Sequence, residues 1–192
     1  MNFKKWLLSE NQENLIKLYH GGSLWQSEGP TIFPSKKGRY EHGVGIYLTT
    51  KYETARKYAK GNKVVLAVYV DPNFVKIEQV KLPASDIISF IKSVPKMKNK
   101  KEIINAIMNY ESRTNEPVPL NVLNNLVVNF EAGSGNAGIL INKFFVLNGV
   151  DAEVANFSGE DWLIVFDTSI IKKWEKVSPS TLNLQDYDLP RI

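Results

Sequence analysis

The apolar pattern of this chain changes period twice, and that change bounds its fold more tightly than any other feature. Ile16 to His20, Gly43 to Thr49 and Lys63 to Val70 read as strands. The last carries Val64, Val65, Leu66, Val68, Tyr69 and Val70 before Asp71-Pro72 stops it, and a short strand is expected over Phe74 to Ile77. From about residue 83 to 148 the spacing turns helical. Ser85 is placed to cap Asp86 to Val94, and Asn99 to cap Lys100 to Tyr110; Pro117 and Pro119 then mark a break. Leu120 to Phe130 and Ala137 to Leu147 supply two more apolar-periodic segments. Strand pattern returns at Val150 to Asn156 and Trp162 to Asp167, so the expected class is α+β.

Composition narrows the chemistry. At 192 residues, 43% hydrophobic and 23% charged, the chain can bury one sizeable core, and one domain is the default. It has no cysteine, which excludes disulfides, thiol nucleophiles and thiolate metal sites; with only two histidines, no metal site is expected. There is no apolar run of bilayer length and no basic-apolar-small leader, so the expectation is a cytoplasmic protein without a membrane partner. The net charge of +4 suits an anionic ligand. Lys96, Lys98, Lys100 and Lys101 read as a solvated loop and helix start, and no aromatic residue interleaves with them to build a single-strand stacking platform.

Three short motifs occur in order. Leu18-Tyr19-His20-Gly21-Gly22-Ser23 closes the first strand, and Gly43-Val44-Gly45-Ile46-Tyr47-Leu48-Thr49-Thr50 follows after a polar loop with Pro30 and Pro34. Glu53-Thr54-Ala55-Arg56-Lys57-Tyr58-Ala59 then lies on a helix expected over Lys51 to Lys60, with Ala55 and Ala59 inward and Gly61-Asn62 ending it. In this order and spacing the motifs resemble the ADP-ribosyltransferase superfamily. They are closest to the branch of the poly(ADP-ribose) polymerases and diphtheria toxin, whose signature trio is His, Tyr and an acidic residue. The resemblance covers residues 16 to 80 and 137 to 177. It implies a split β-sheet core with flanking helices, one domain over 16–177, and a central helical insertion at about 83–136.

The resemblance also implies an activity: NAD-dependent mono-ADP-ribosyl transfer, with NAD as co-substrate, nicotinamide as leaving group and no metal. The acceptor would be a macromolecule, a protein before a nucleic acid. The alternative is a noncatalytic protein that keeps the fold and binds NAD without transfer. In this family the His bonds ribose hydroxyls, a role that falls to His20, and the next residue, Gly21, offers its main chain to the carboxamide. Glycine permits that approach. Tyr47 and Tyr58, eleven residues apart, are expected to close on the flat nicotinamide ring. Ser23 and Thr49 complete the expected cofactor-binding set. Read from residues alone, a His after a strand also serves packing, and Tyr47 is simply a good strand residue. His42, beside Glu41, reads as a loop-stabilising group.

The acid is where the chain departs from the pattern. The family's catalytic Glu stands five residues before the Asp that closes a strand like Trp162-Leu163-Ile164-Val165-Phe166-Asp167, and that position here is Trp162. Glu160 and Asp161 are the nearby candidates. Side chains alternate along a strand, so Glu160 shares the face of Trp162 if the strand starts early, and a bulge or loop at Gly159 could turn either inward. Glu160 is favoured for its reach, with Glu153 a distant third. The chemistry calls for a carboxylate because loss of nicotinamide leaves an oxocarbenium-like ribose, whose charge it stabilises while taking the nucleophile's proton.

Three features fall outside these motifs. Gly133-Ser134-Gly135-Asn136-Ala137-Gly138 matches a dinucleotide fingerprint, but too little chain follows to build a doubly wound sheet, and the segment reads as a loop capping a helix. Residues 3 to 16 pattern as a short amphipathic helix with Phe3, Trp6, Leu7 and Leu15 on one face, so 1–15 is an N-terminal helix or targeting segment. Met1 to Glu10, ending Leu8-Ser9-Glu10, resembles the targeting peptides of tailed-phage internal head proteins, which implies a phage-encoded protein acting in host cytoplasm. Residues 178–192 read as a polar tail.

Overall fold

β1 (Ile16–Gly22) and β3 (Val64–Val70) pair antiparallel over seven positions, from Ile16 opposite Val70 to Gly22 opposite Val64, and form the spine of the sheet. The structure is a computed structural model that describes residues 15–22, 25, 29–32, 43–59 and 64–177. The expected N-terminal helix and targeting segment, Ser23, most of the loop with His42, the Gly61-Asn62 stop and the 178–192 tail all lie outside those residues. The other strands are β2 (Ile46–Thr49), β6 (Ala152–Phe157), β7 (Glu160–Val165) and β8 (Ile171–Lys176). The sheet runs β6-β7-β2-β1-β3-β8, antiparallel at every pair. A two-stranded ribbon joins β4 (Lys81–Leu82) to β5 (Val118–Pro119).

Period-two alternation sorts the strand residues onto two faces. Leu18, Leu48, Leu66, Val68, Leu163 and Val165 bury one face. On the other, Tyr19, Val65 and Ala67 meet Tyr52 and Ala55 of α1 (Tyr52–Tyr58). Four more helices cover the β6-β7 end: α2 (Ala84–Ser93), α3 (Lys100–Thr114), α4 (Leu120–Asn129) and α5 (Asn136–Leu147). Their Ile87, Ile91, Ile103, Ile107, Leu123 and Phe145 pack in one cluster with Ala155, Ile164 and Phe166. Each such side chain stabilises the fold by about 1.5–3 kcal/mol relative to exposure. The helical layer is therefore held to the sheet by its own core. The result is an α+β protein with five described helices and a six-stranded sheet.

Several local expectations are corrected. Phe74 to Ile77 is not a strand: the segment makes one parallel bridge, Lys76 to Ala152, and turns into a 3-10 helix over Ile77–Gln79. Its apolar residues Phe74 and Ile77 are buried without a ladder, which mimics a strand pattern. Ser85 lies inside α2, whose N-cap is Pro83. Asn99 does stand at the N-cap of α3, but its side chain makes no cap; it donates Nδ2 to the Phe130 carbonyl at 2.9 Å, tying the start of α3 to the end of α4. No bulge occurs near Gly159, because Ser158 (φ 50°) and Gly159 (φ 79°) form a tight hairpin turn that keeps β6 and β7 in regular register. Leu126 to Phe130, upstream of the glycine-rich segment, ends a helix, and Gly135 caps the next one. Among the described residues no helix is long and apolar enough to cross a membrane, and no group of His, Asp and Glu could hold a metal ion.

Candidate functional site

The sheet is weakest at its centre. β1 and β2 share one register pair, Tyr19 with Thr49, whereas β2 and β7 share four. A side chain bridges the seam: Nδ1 of His20 donates to the main-chain oxygen of Tyr47 at 3.0 Å. That bond leaves Nε2 as the acceptor of the neutral ring. Burial pushes the His20 pKa below 6.5, and the bond to Tyr47 opposes the shift without cancelling it. The ring stacks on Trp25 at 5.0 Å between centroids, and Trp25 meets Trp174 of β8 edge to face at 5.8 Å.

Gly21 has a packing duty. A Cβ there would lie 1.6 Å from the carbonyl oxygen of Ala55, so α1 rests directly on the bare α-carbon. That close packing sets where α1 carries Tyr58.

The face opposite His20, on which α1 packs, holds an aromatic cluster. Thr49 stands across from Trp162, and Trp162 across from Ala155. The Trp162 ring contacts Tyr47 (6.3 Å, 77°), Tyr58 (5.5 Å, 89°) and Phe157 (5.9 Å, 81°), all edge to face. This is the arrangement that aromatic quadrupoles favour. Tyr47 is oriented by its hydroxyl, which donates to the Gly43 carbonyl at 2.7 Å, and Tyr58 is half exposed. Both expected tyrosines thus bear on Trp162.

The two candidate acids separate cleanly. β7 begins at Glu160, so Glu160 shares the face of Trp162, as alternation requires. It is buried, accepting from the Thr49 hydroxyl on one oxygen and from the Thr54 hydroxyl on the other at 2.8 Å. Asp161 points to the other face, where Asn156 Nδ2 donates to it at 2.5 Å, and its main-chain oxygen takes the Thr50 N–H at 3.2 Å. Glu153 lies in the row Glu153, Ile164, Tyr47 and accepts from Asn124 Nδ2 at 2.6 Å. The structure therefore gathers Tyr47, Thr49, Tyr58 and Glu160 with Trp162 on one face. His20 is joined to that group through the Tyr47 main chain, and Asp161 stands apart.

Sequence reasoning missed the groups that support Tyr47. Asn142 of α5 is buried and donates Nδ2 to the carbonyls of Val44 (3.1 Å) and Phe166 (3.2 Å), pinning the segment before β2 to the end of β7. Gly43 has φ +87°, and a Cβ there would lie 2.3 Å from Asn124 Oδ1, so only glycine fits. Gly138 serves the same packing, since its Cβ would lie 2.5 Å from a Val44 methyl. Of the fingerprint-like glycines, Gly138 thus seats α5 against Val44. An asparagine on the apolar stripe of a predicted helix was the one available signal.

Compared with protein-family models, with curated proteins and with solved structures, the chain has no match. The class it displays is an α+β domain with a seam at the centre of its sheet and an aromatic, carboxylate-bearing face beside that seam.

Proposed function

We propose that this chain is an NAD-dependent mono-ADP-ribosyltransferase of the His-Tyr-acid type, built on an ADP-ribosyltransferase-like core that takes the dinucleotide beside the β1–β2 seam. The observation that carries the reading is the buried carboxylate of Glu160 on the same face as Tyr47, Thr49 and Tyr58. Tyr47 and Tyr58 supply ring faces for nicotinamide. Neutral His20, with Nδ1 committed to Tyr47, keeps Nε2 for a ribose hydroxyl. In the reaction the bond between ribose C1′ and the nicotinamide nitrogen breaks, and its electron pair neutralises the pyridinium as nicotinamide leaves. An acceptor nucleophile bonds to C1′, and its proton passes to the Glu160 carboxylate and on to water. Glu160 also stabilises the oxocarbenium-like charge that develops at C1′. The chain needs no metal for these steps.

A specific observation supports a second reading. Trp162 fills the position at which the family places its acid, and both oxygens of Glu160 are engaged by threonine hydroxyls. That arrangement fits a protein that binds NAD without transferring ADP-ribose. One experiment separates the two: incubate the purified protein with NAD, measure nicotinamide release, and repeat with His20→Ala and Glu160→Gln. Release that falls in both variants supports transfer. Saturable NAD binding without release, lost in Tyr47→Ala, supports the noncatalytic reading, and no binding at all overturns both.

A further inference from the structure

A cleft of about 420 Å³ lies between α5 and the end of β7, at the small end of the about 300–1,000 Å³ usual for ligand pockets. The nucleotide reading makes no use of it. α5 supplies one wall, the segment from Phe166 to Thr168 a second, and Pro30 to Ile32 a third. Helical spacing sets Asn142 above Val146 and Lys143 above Leu147 along the α5 wall. Leu147 stands at the mouth, 85% exposed.

The polar groups that line the cleft are unmatched. Asn142 is only 8% exposed, and its Nδ2 is committed to the carbonyls of Val44 and Phe166, which fixes the orientation of the amide. Its Oδ1 is therefore the atom left to face the cleft. Among the described residues nothing donates to that oxygen, and it is not sealed from solvent. Lys143 and Asp167 bring opposite charges to the same cleft, yet among the described residues neither makes an ion pair, with the other or with anything else. One oxygen of Asp167 accepts the Ser169 N–H at 2.9 Å. Its other oxygen and the Thr168 hydroxyl make no hydrogen bond among the described residues.

We infer that this cleft binds a free α-amino acid with an aliphatic side chain. The ligand's ammonium donates to Asn142 Oδ1 and to Asp167, and its carboxylate accepts from the Lys143 ammonium and the Thr168 hydroxyl. Its side chain lies on Val146, Leu147 and Phe166. A ligand with negative charge alone would set its own sign against Asp167, and a wholly apolar one would dehydrate both charges and leave the Asn142 oxygen without a donor. Charge order and the apolar wall together select the class. The residues of the nucleotide reading lie elsewhere, around the β1–β2 seam. One link joins the two regions: the Asn142 amide that meets the ligand through Oδ1 pins Val44, before β2, through Nδ2.

The probe is L-leucine, titrated into the full chain and followed by the backbone amide resonances and the Asn142 side-chain amide. Saturable shifts are expected at the Asn142 side chain, Lys143 and Thr168. L-Leucinamide, which lacks the carboxylate, and N-acetyl-L-leucine, which lacks the ammonium, are each expected to bind at least about fivefold more weakly. Two variants are matched to those analogues. Lys143→Gln is expected to weaken L-leucine at least about fivefold and to leave L-leucinamide within about twofold, because that analogue has no carboxylate for the lysine to hold. Asp167→Asn keeps an acceptor for the Ser169 N–H; it is expected to weaken L-leucine by a similar factor and to leave N-acetyl-L-leucine within about twofold. Lys143 is exposed, so its variant keeps the fold, and it decides alone if Asp167→Asn does not fold. No saturable shift, or shifts only at residues outside the cleft, overturns the site. N-acetyl-L-leucine binding as tightly as L-leucine overturns the amino acid in favour of an anionic apolar ligand. L-Leucinamide binding as tightly, with L-leucine unaffected by Lys143→Gln, overturns it in favour of an apolar amine. Nicotinamide release bears on none of these outcomes, so the cleft and the transferase reading stand or fall separately.

Discussion

The imidazole of His20 replaces a rung of the central ladder, its Nδ1 lying 3.0 Å from the carbonyl oxygen of Tyr47. The bond ties together the two strands that otherwise share one register pair. Its donor is the neutral ring, and burial keeps the ring neutral by lowering its pKa from 6.5. A histidine with a depressed folded-state pKa binds fewer protons folded than unfolded, so its contribution is complete above the unfolded pKa and is lost as pH falls below about 6.5 and through the folded pKa. Urea midpoints taken at pH 7.5 and 5.5 are expected to fall with pH, and His20→Gln is expected to remove part of that fall. An equal pH dependence in the variant would assign the effect to other groups.

The two neighbouring acids are expected to behave differently. Glu160→Gln keeps the size and one of the two threonine-donated bonds but loses the charge, and nicotinamide release is expected to drop about 10²–10⁴-fold with NAD binding little changed. Asp161→Asn, on the far face, is expected to leave release within severalfold of the parent. Steady-state release with paired binding isotherms checks both, and the reverse ranking would reassign the acid.

Gly21→Ala is expected to destabilise strongly. The new methyl would meet the Ala55 carbonyl at 1.6 Å, and the obstacle is helix backbone that cannot swing aside. A loss at or above the upper end of about 1–3 kcal/mol is expected. Gly135→Ala is the comparison: nothing lies within 4 Å of its Cβ position, but φ is +60° with ψ −136°, outside the left-handed helical well, so the cost is backbone strain of about 1–3 kcal/mol. Denaturant unfolding of both variants tests the ranking.

What was legible in the sequence follows from how local the deciding contacts are. Glycines mark β2 and unbroken apolar runs mark β3 and β7, and side-chain alternation along β7 places Glu160 on the face of Trp162. β8 carries no such run, because Lys172, Lys173, Glu175 and Lys176 all reach solvent at the sheet edge. The role of Trp162 depends on rings from β2, α1 and β6 that converge only in the folded chain. Asn124 and Asn142 sit in helices whose polar residues are expected to face water, yet both are buried. Tyr47 and Tyr58 each meet the Trp162 indole edge to face, a convergence that their spacing in the sequence does not reveal.

Asn142 provides the sharpest test of the link between the helical layer and the site. One buried amide nitrogen serves the carbonyls of Val44 and Phe166, so Asn142→Leu leaves two buried acceptors without that donor. Leaving a buried acceptor unpaired costs about 1–3 kcal/mol, and a loss of that order in folding stability is expected. The second effect is local: Val44 stands three residues before Tyr47 and beside Gly43, whose carbonyl holds the Tyr47 hydroxyl. Loosening that segment is expected to weaken NAD binding several-fold at a temperature where the variant is fully folded, whereas Asn148→Ala, which removes a bond from α5's C-cap residue to the Phe144 carbonyl, is expected to lower stability alone. If both variants lose stability and neither changes NAD affinity, the helical layer supports the fold without positioning Tyr47.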